Sequence, residues 1–218
     1  MPISLADAPP ILYRIGRAPD PLTYPPLARM GDGRYDDPLG RVSTLYASED
    51  RVAAYFETLD QFRLDLEALA DRNAAVMDRG SPEFEDPSST IPAFYFTRLM
   101  VEFGITPGLR CLDVRKPETH TVLRHELALQ LSQLGLRKRF VLGDILAHDH
   151  RVTQLIARWA IDNAFDGIAY SSCHDPSLTC WAIFEGVDLI PLGQPEPITT
   201  TDPDLLAVAR LWDLRIPD

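Results

Sequence analysis

Apolar positions along the chain follow two rhythms. The clearest helical one spans Arg151 to Phe165, where Val152, Leu155, Ile156, Trp159 and Ala160 recur at i, i+3, i+4, i+7 and i+8. That is one stripe of a 3.6-residue helix, and Gly167 follows to stop it. A second helix is predicted from Pro117 to Gly135, with Leu123, Leu127, Leu131 and Leu134 along one face. A third opens at Ser48 as N-cap, with Glu49 and Asp50 near the positive end of the helix dipole and Val52, Phe56 and Leu59 turned inward. Strand-like runs lie at Ile11–Ile15, Thr44–Ala47, Pro92–Phe96, Leu109–Val114, Phe140–Leu142, Gly167–Ser171 and Thr179–Phe184. Strands and helices mix without a steady βαβ rhythm, which predicts an α+β fold and not a doubly wound sheet.

Prolines cluster at 9–26, 82–92, 191–197 and 203–217 and mark loops and edges. The polar stretch Asp71 to Thr90 reads as a long connection inside one domain. That domain spans 1–218, with a core over about 11–192 and a helical tail over 199–218. The tail's apolar face is Leu205, Val208, Leu211 and Trp212; it either packs on the domain or contributes to a homo-oligomer.

The 218 residues suffice to bury a core without staples. The net charge of −11 argues against a globally basic nucleic-acid binder, so no direct nucleic-acid binding is expected. The best basic cluster, Arg137-Lys138-Arg139, reads as a solvated helix end. No run approaches 18 apolar residues and no secretory leader opens the chain, so neither a membrane span nor export is expected. Cys111, Cys173 and Cys180, odd in number and without CxxC spacing, read as buried thiols of a cytoplasmic protein.

Common chemistries fail on spacing. His148 and His150 are two apart before a helix, and His120 and His125 are five apart. Neither pair is a good metal-ligand spacing, and HExxH, GxSxG, GxGxxG and the P-loop pattern are all absent. The dense region is 31–57. Arg34 lies in a glycine-rich loop, where a guanidinium can hold a phosphate or carboxylate bidentately or pair with Asp36 or Asp37. Taken alone, Glu57 falls off its helix's apolar stripe and reads as solvated, and Tyr46 reads as core or edge.

Four blocks in order change this picture: LYRIG at 12–16, GDGRYDDPLG at 31–40, LYASEDRVAAYFE at 45–57 and AFDGIAYSSCHDPSLTCWAIFE at 164–185. Together they resemble the RES domain. The resemblance implies an ADP-ribosyltransferase-like fold, a split central mixed or antiparallel sheet flanked by helices, with a cleft between its parts and the loop 17–42 at its border. It also implies the toxin of a bacterial toxin–antitoxin pair that consumes NAD⁺ by cleaving the nicotinamide–ribose bond, with water, inorganic phosphate or a protein as acceptor. The implied partner is an Xre-type, DNA-binding antitoxin, which the acidic surface would suit. NAD⁺ is then a substrate, and no metal is needed.

On this resemblance the catalytic residues are Glu57, Arg14 and Tyr46. Glu57 stabilises the oxocarbenium-like ribose, Arg14 and Arg34 hold the pyrophosphate, and Tyr46 stacks on nicotinamide. Tyr35, in place of the family's usual tryptophan, and Ser172 complete the NAD⁺ contacts. One departure stands out. Where the family has a small polar residue before a helix glutamine, this chain has Arg151, with Gln154 three on and Thr153 between. Two alternatives remain open: an ADP-ribosyltransferase acting on a macromolecule, and a degenerate RES domain kept as a binding module.

Overall fold

The computed structural model describes residues 2–76, 89–136 and 138–217. Nine strands of these described residues form one sheet: β1 (Leu5–Ala6), β2 (Leu12–Arg17), β3 (Thr44–Ser48), β4 (Arg98–Ile105), β5 (Cys111–Asp113), β6 (Gly167–Ser171), β7 (Thr179–Phe184), β8 (Leu189–Pro191) and β9 (Glu196–Pro197). The order is β1-β5-β6-β7-β3-β2-β4-β8, with β9 also paired to β4. Among the strands of the described residues, only β5 and β6 pair in parallel. The architecture is the α+β fold expected.

Among the described residues, seven α-helices flank the sheet: α1 (Arg51–Leu59), α2 (Leu66–Val76), α3 (Pro117–Glu126), α4 (Ala128–Gln133), α5 (Leu142–Leu146), α6 (Arg151–Asp162) and α7 (Pro203–Leu211). Strand alternation sorts the side chains between faces. In β6 and β7, Ile168, Tyr170, Cys180 and Ala182 pack with helical residues such as Leu123 and Ile156. Ala169, Trp181 and Ile183 join Leu45 and Phe103 in a separate cluster. A third cluster packs Ile15 and Met100 against Tyr55, Leu59, Leu205 and Val208 of α1 and α7.

The feature that positions the site is a split between β2 and β3. These neighbours meet at a single register point, Tyr13 opposite Ser48, whereas β2 and β4 pair over six positions. Beyond that point the strands separate, and the Arg14 side chain spans the gap by donating from Nη1 to the Tyr46 carbonyl at 2.7 Å.

The C-terminal tail packs on the domain. Asp202 caps α7, accepting from the Asp204 and Leu205 amides, and Arg51 of α1 forms ion pairs with Asp202, Asp204 and Glu196. Leu205 and Val208 are buried as expected, but Leu211 is 68% exposed, and Ala209 takes its place in the core. Arg51→Ala should therefore loosen the junction of α1 and α7. The expected cost is about 1–2 kcal/mol, a fall of several degrees in Tm by calorimetry.

Several expectations need correction. Pro92–Phe96 is a 3₁₀ turn (Ala93–Thr97) and not a strand; the strand is β4, directly after it. Phe140–Leu142 leads into α5, whose first turn is closed by Asp144 accepting from the Val141 amide. The helix predicted over 117–135 is two, divided at Leu127 with φ −107° and ψ 15°. Ser48 ends β3 and Asp50 is the N-cap of α1. The connection expected over 71–90 begins inside α2, and residues 77–88 lie outside the described residues, as does Arg137 of the basic cluster.

Candidate active site

A cleft of about 540 Å³ opens at the β2–β3 split. Tyr13 and Arg14 line it from β2, Tyr46 and Ser48 from β3, and Glu57 and Thr58 from α1. Its rim adds Arg34 from the glycine loop, His148 and His150 ahead of α6, and Cys173 and His174 beyond β6. Glu57 and Arg14, 43 positions apart in sequence, thus share one cavity with Arg34 and Tyr46.

Glu57 stands exposed on the cleft side of α1. Its Oε1 accepts from Ser172 Oγ at 2.7 Å and faces Cys180 Sγ at 3.7 Å. Ser172 Oγ in turn accepts from the His174 amide at 3.2 Å. Ser172 is fully buried, so it fixes the carboxylate from behind. Burial first, and the Glu57 charge second, push the thiols of Cys173 and Cys180 up. Both stay protonated near neutrality, which disfavours them as nucleophiles. Cys111 and Cys180 are buried as expected, but Cys173 is half-buried at the cleft.

Arg14 donates Nε to the Pro21 carbonyl and Nη1 to that of Tyr46. These acceptors fix its direction without neutralising it. Burial, and then the Arg98 charge, bring its pKa down to about 10, so it remains a cation at neutral pH.

Arg34 does not pair with Asp36 or Asp37. Its Nη1 donates to the carbonyls of Ile145 and Ala147, at 2.8 and 2.9 Å. Asp37 instead binds Arg41 at 2.9 Å. Asp36 turns back on its own loop: Oδ2 accepts from the Gly31 and Gly33 amides, and Oδ1 from the Tyr46 hydroxyl at 2.7 Å. The Tyr46 oxygen also accepts from the Tyr35 amide. Burial first, and Asp36 second, hold that phenol well above its usual range, so it remains a neutral hydroxyl. A Cβ on Gly33 would lie 2.5 Å from both Asp36 Oδ1 and Tyr46 Oη, so only glycine fits there.

Two residues expected at the ligand lie behind the cleft. Tyr35 is fully buried in the core, its ring 4.8 Å from that of Tyr170; adjacent loop residues point apart, so Arg34 faces the cleft and Tyr35 does not. Ser172 reaches the cleft only through Glu57.

At the departure from the family pattern, Arg151 is exposed and bound to Asp149. Thr153 is buried, donating to the His150 carbonyl. Gln154 braces the glycine loop, with Nε2 donating to the Gly31 and Gly33 carbonyls at 2.7 and 3.1 Å. The loop is thus held through its amides by Asp36 and through its carbonyls by Gln154.

Four lining residues, His148, His150, His174 and Arg98, are not legible as such in the sequence. The first two histidines read there only as a solvated helix start, and Arg98 belongs to β4, which the hydrophobic pattern does not predict. Among the described residues, no group of three or more His, Cys, Asp or Glu is arranged to hold a metal, and no helix is long and apolar enough to cross a membrane.

A split α+β sheet with a glutamate–arginine cleft at the split defines a class, and comparison with known proteins gives the family. The RES domain matches residues 11–201, and the chain belongs to that family. No curated protein matches it. Among solved structures it is similar to a chain of the M. tuberculosis MbcT–MbcA toxin–antitoxin complex. The TM-score is 0.53 at 14% identity, over 95% of this chain and 91% of that one. At that identity the likeness is one of fold.

Proposed function

We propose that this chain is the toxin of a toxin–antitoxin pair and depletes NAD⁺ by cleaving its nicotinamide–ribose bond. The observation that carries the reading is the convergence of Glu57, Arg14, Arg34 and Tyr46 on one cleft. Family membership and the toxin–antitoxin complex among similar folds support the biological role.

The bond between C1 of the nicotinamide-side ribose and the ring nitrogen breaks, and its electron pair leaves with nicotinamide. The ribose becomes oxocarbenium-like, and the Glu57 carboxylate, oriented through Oε1 by Ser172, stabilises that charge. Arg14 and Arg34 supply cationic donors for the pyrophosphate; their carbonyl partners leave each charge uncompensated and some N–H groups free. Water as acceptor gives ADP-ribose and a proton; inorganic phosphate gives ADP-ribose 1-phosphate. The partner that restrains this activity is a basic, Xre-type antitoxin, to which a chain of net charge −11 is complementary.

The test is NAD⁺ consumption by the purified chain, free of antitoxin, with and without inorganic phosphate. Loss of NAD⁺ with release of nicotinamide is expected, and dependence on phosphate would identify phosphorolysis. Folded protein that leaves NAD⁺ untouched would overturn the reading, and label transferred to protein or nucleic acid would make the chain an ADP-ribosyltransferase. Gln154→Ala frees the loop carbonyls without touching Glu57, and should reduce kcat/KM about tenfold with little change in Tm.

A further inference from the structure

Beside the cleft lies a second cavity of about 560 Å³, walled by β2 and the loop 18–26. Arg14 and Arg98 border both cavities, and Arg17 and Arg29 line only the second. Four guanidinium groups therefore gather in a chain that carries 21 basic against 32 acidic residues.

Several arginines elsewhere are matched: Arg41 with Asp37 and Asp162, Arg51 with three carboxylates, Arg115 with Asp113, and Arg151 with Asp149. None of the four arginines of the second cavity has a carboxylate partner among the described residues. Arg14 is tied to carbonyls, and Arg98 lies over the Tyr95 ring at 5.3 Å. The one acid on these walls, Asp20, is engaged by the Leu22 amide and the Thr23 hydroxyl.

The strand register makes the mismatch sharper. Arg17 and Arg98 are directly opposite in the β2–β4 pair, and like charges so placed destabilise a sheet. The loop is also closely laid against the strand, since a Cβ on Gly16 would lie 2.3 Å from the Pro21 carbonyl oxygen. A built, cationic concavity with uncompensated charge, continuous with a reaction cleft, is the setting in which arginine recognises phosphate.

We propose that Arg17 and Arg98, beside Arg14, form a second anion subsite that takes a phosphate group distinct from the pyrophosphate of the cleft. It deepens the NAD⁺ reading, on which only the identity of the phosphate's carrier rests. That carrier is either the dinucleotide itself, in its 2′-phosphorylated form, or free phosphate bound alongside it.

Calorimetric titration of inorganic phosphate at low ionic strength tests the subsite without any turnover. Saturable binding is expected, weakened about tenfold by Arg17→Gln and by Arg98→Gln but not by Arg158→Gln, which removes an equal charge on α6. Arg17 is exposed at a strand end and faces a like charge, so its variant should keep at least the wild-type Tm. NAD⁺ and its 2′-phosphorylated form are then titrated into Glu57→Gln protein. Tighter binding of the 2′-phosphorylated form, lost with Arg17→Gln, places the phosphate on the substrate. Phosphate and NAD⁺ binding together without competition makes it a free co-ligand; either result supports the subsite. If neither dinucleotide binds while phosphate still binds through Arg17, the NAD⁺ reading fails and the subsite stands. Absence of saturable phosphate binding, or an equal loss in Arg158→Gln, overturns it.

Discussion

Glu57→Gln is expected to lower NAD⁺ consumption by about two to three orders of magnitude while leaving the fold unchanged. The two halves of this expectation come from different observations. Glu57 is exposed to the cleft, so the substitution buries nothing and opens no cavity. Glutamine also keeps a carbonyl oxygen to accept from Ser172, as Oε1 now does at 2.7 Å. What disappears is the negative charge that the proposed mechanism sets beside the ribose, where positive charge develops. Thermal unfolding should therefore show wild-type Tm for a variant that has lost its rate. Ser172→Ala makes the contrasting case. It leaves the charge but removes the hydroxyl that orients it, together with the acceptor of the His174 amide, so it should reduce kcat by a smaller factor, and Ser172→Thr, which keeps a hydroxyl, should restore part of it. Undiminished turnover in Glu57→Gln would remove the charge from the mechanism and move the chemistry elsewhere in the cleft.

How far the sequence shows this site depends on how local each signal is. Gly167–Ser171 and Thr179–Phe184 are strands over the predicted residues, and the stripe from Val152 to Ala160 is a helix, because burial against one face imposes a periodicity that the sequence displays. Glu57 shows the opposite case. Its position off the apolar stripe of α1 reads as solvation, and it is exposed; but the solvent it meets is that of a cleft. Ser172, 115 residues away in the chain, reaches it only because β6 ends and β7 begins there. The family resemblance points to the glutamate, and periodicity alone does not. β4 is hidden because the aromatic run Ala93–Thr97 ahead of it looks more strand-like, although that run turns to bury Tyr95 and leaves Phe94 56% exposed. Tyr35 shows the limit of carrying a role to a neighbouring position: Arg34 and Tyr35 are adjacent in sequence, yet one faces the cleft and the other the core.

Asp36→Ala should produce the largest loss of stability among substitutions near the cleft, about 3 kcal/mol, with Tm falling by about 6–12 °C. Asp36 is 3% exposed and accepts from three donors, the amides of Gly31 and Gly33 and the hydroxyl of Tyr46. Alanine leaves all three without this acceptor, and a buried orphan donor costs more than the bond it once made contributes. Activity should fall further than stability explains. The loop that loses its anchor carries Arg34, whose guanidinium must cross to the carbonyls of Ile145 and Ala147 to face the cleft. Measured well below its own Tm, Asp36→Ala should retain little NAD⁺ turnover, with KM raised as well as kcat lowered, because Arg34 is assigned to binding. Asp36→Asn keeps the shape and one acceptor oxygen but turns an amide donor toward other donors, so it should recover only part of the loss. Tyr46→Phe removes only the hydroxyl that links Asp36 to the Tyr35 amide, and should cost about 1–2 kcal/mol. If Asp36→Ala kept both its Tm and its KM, the loop would be held by Gln154 and its own backbone turn alone. Asp36 would then have no part in placing Arg34.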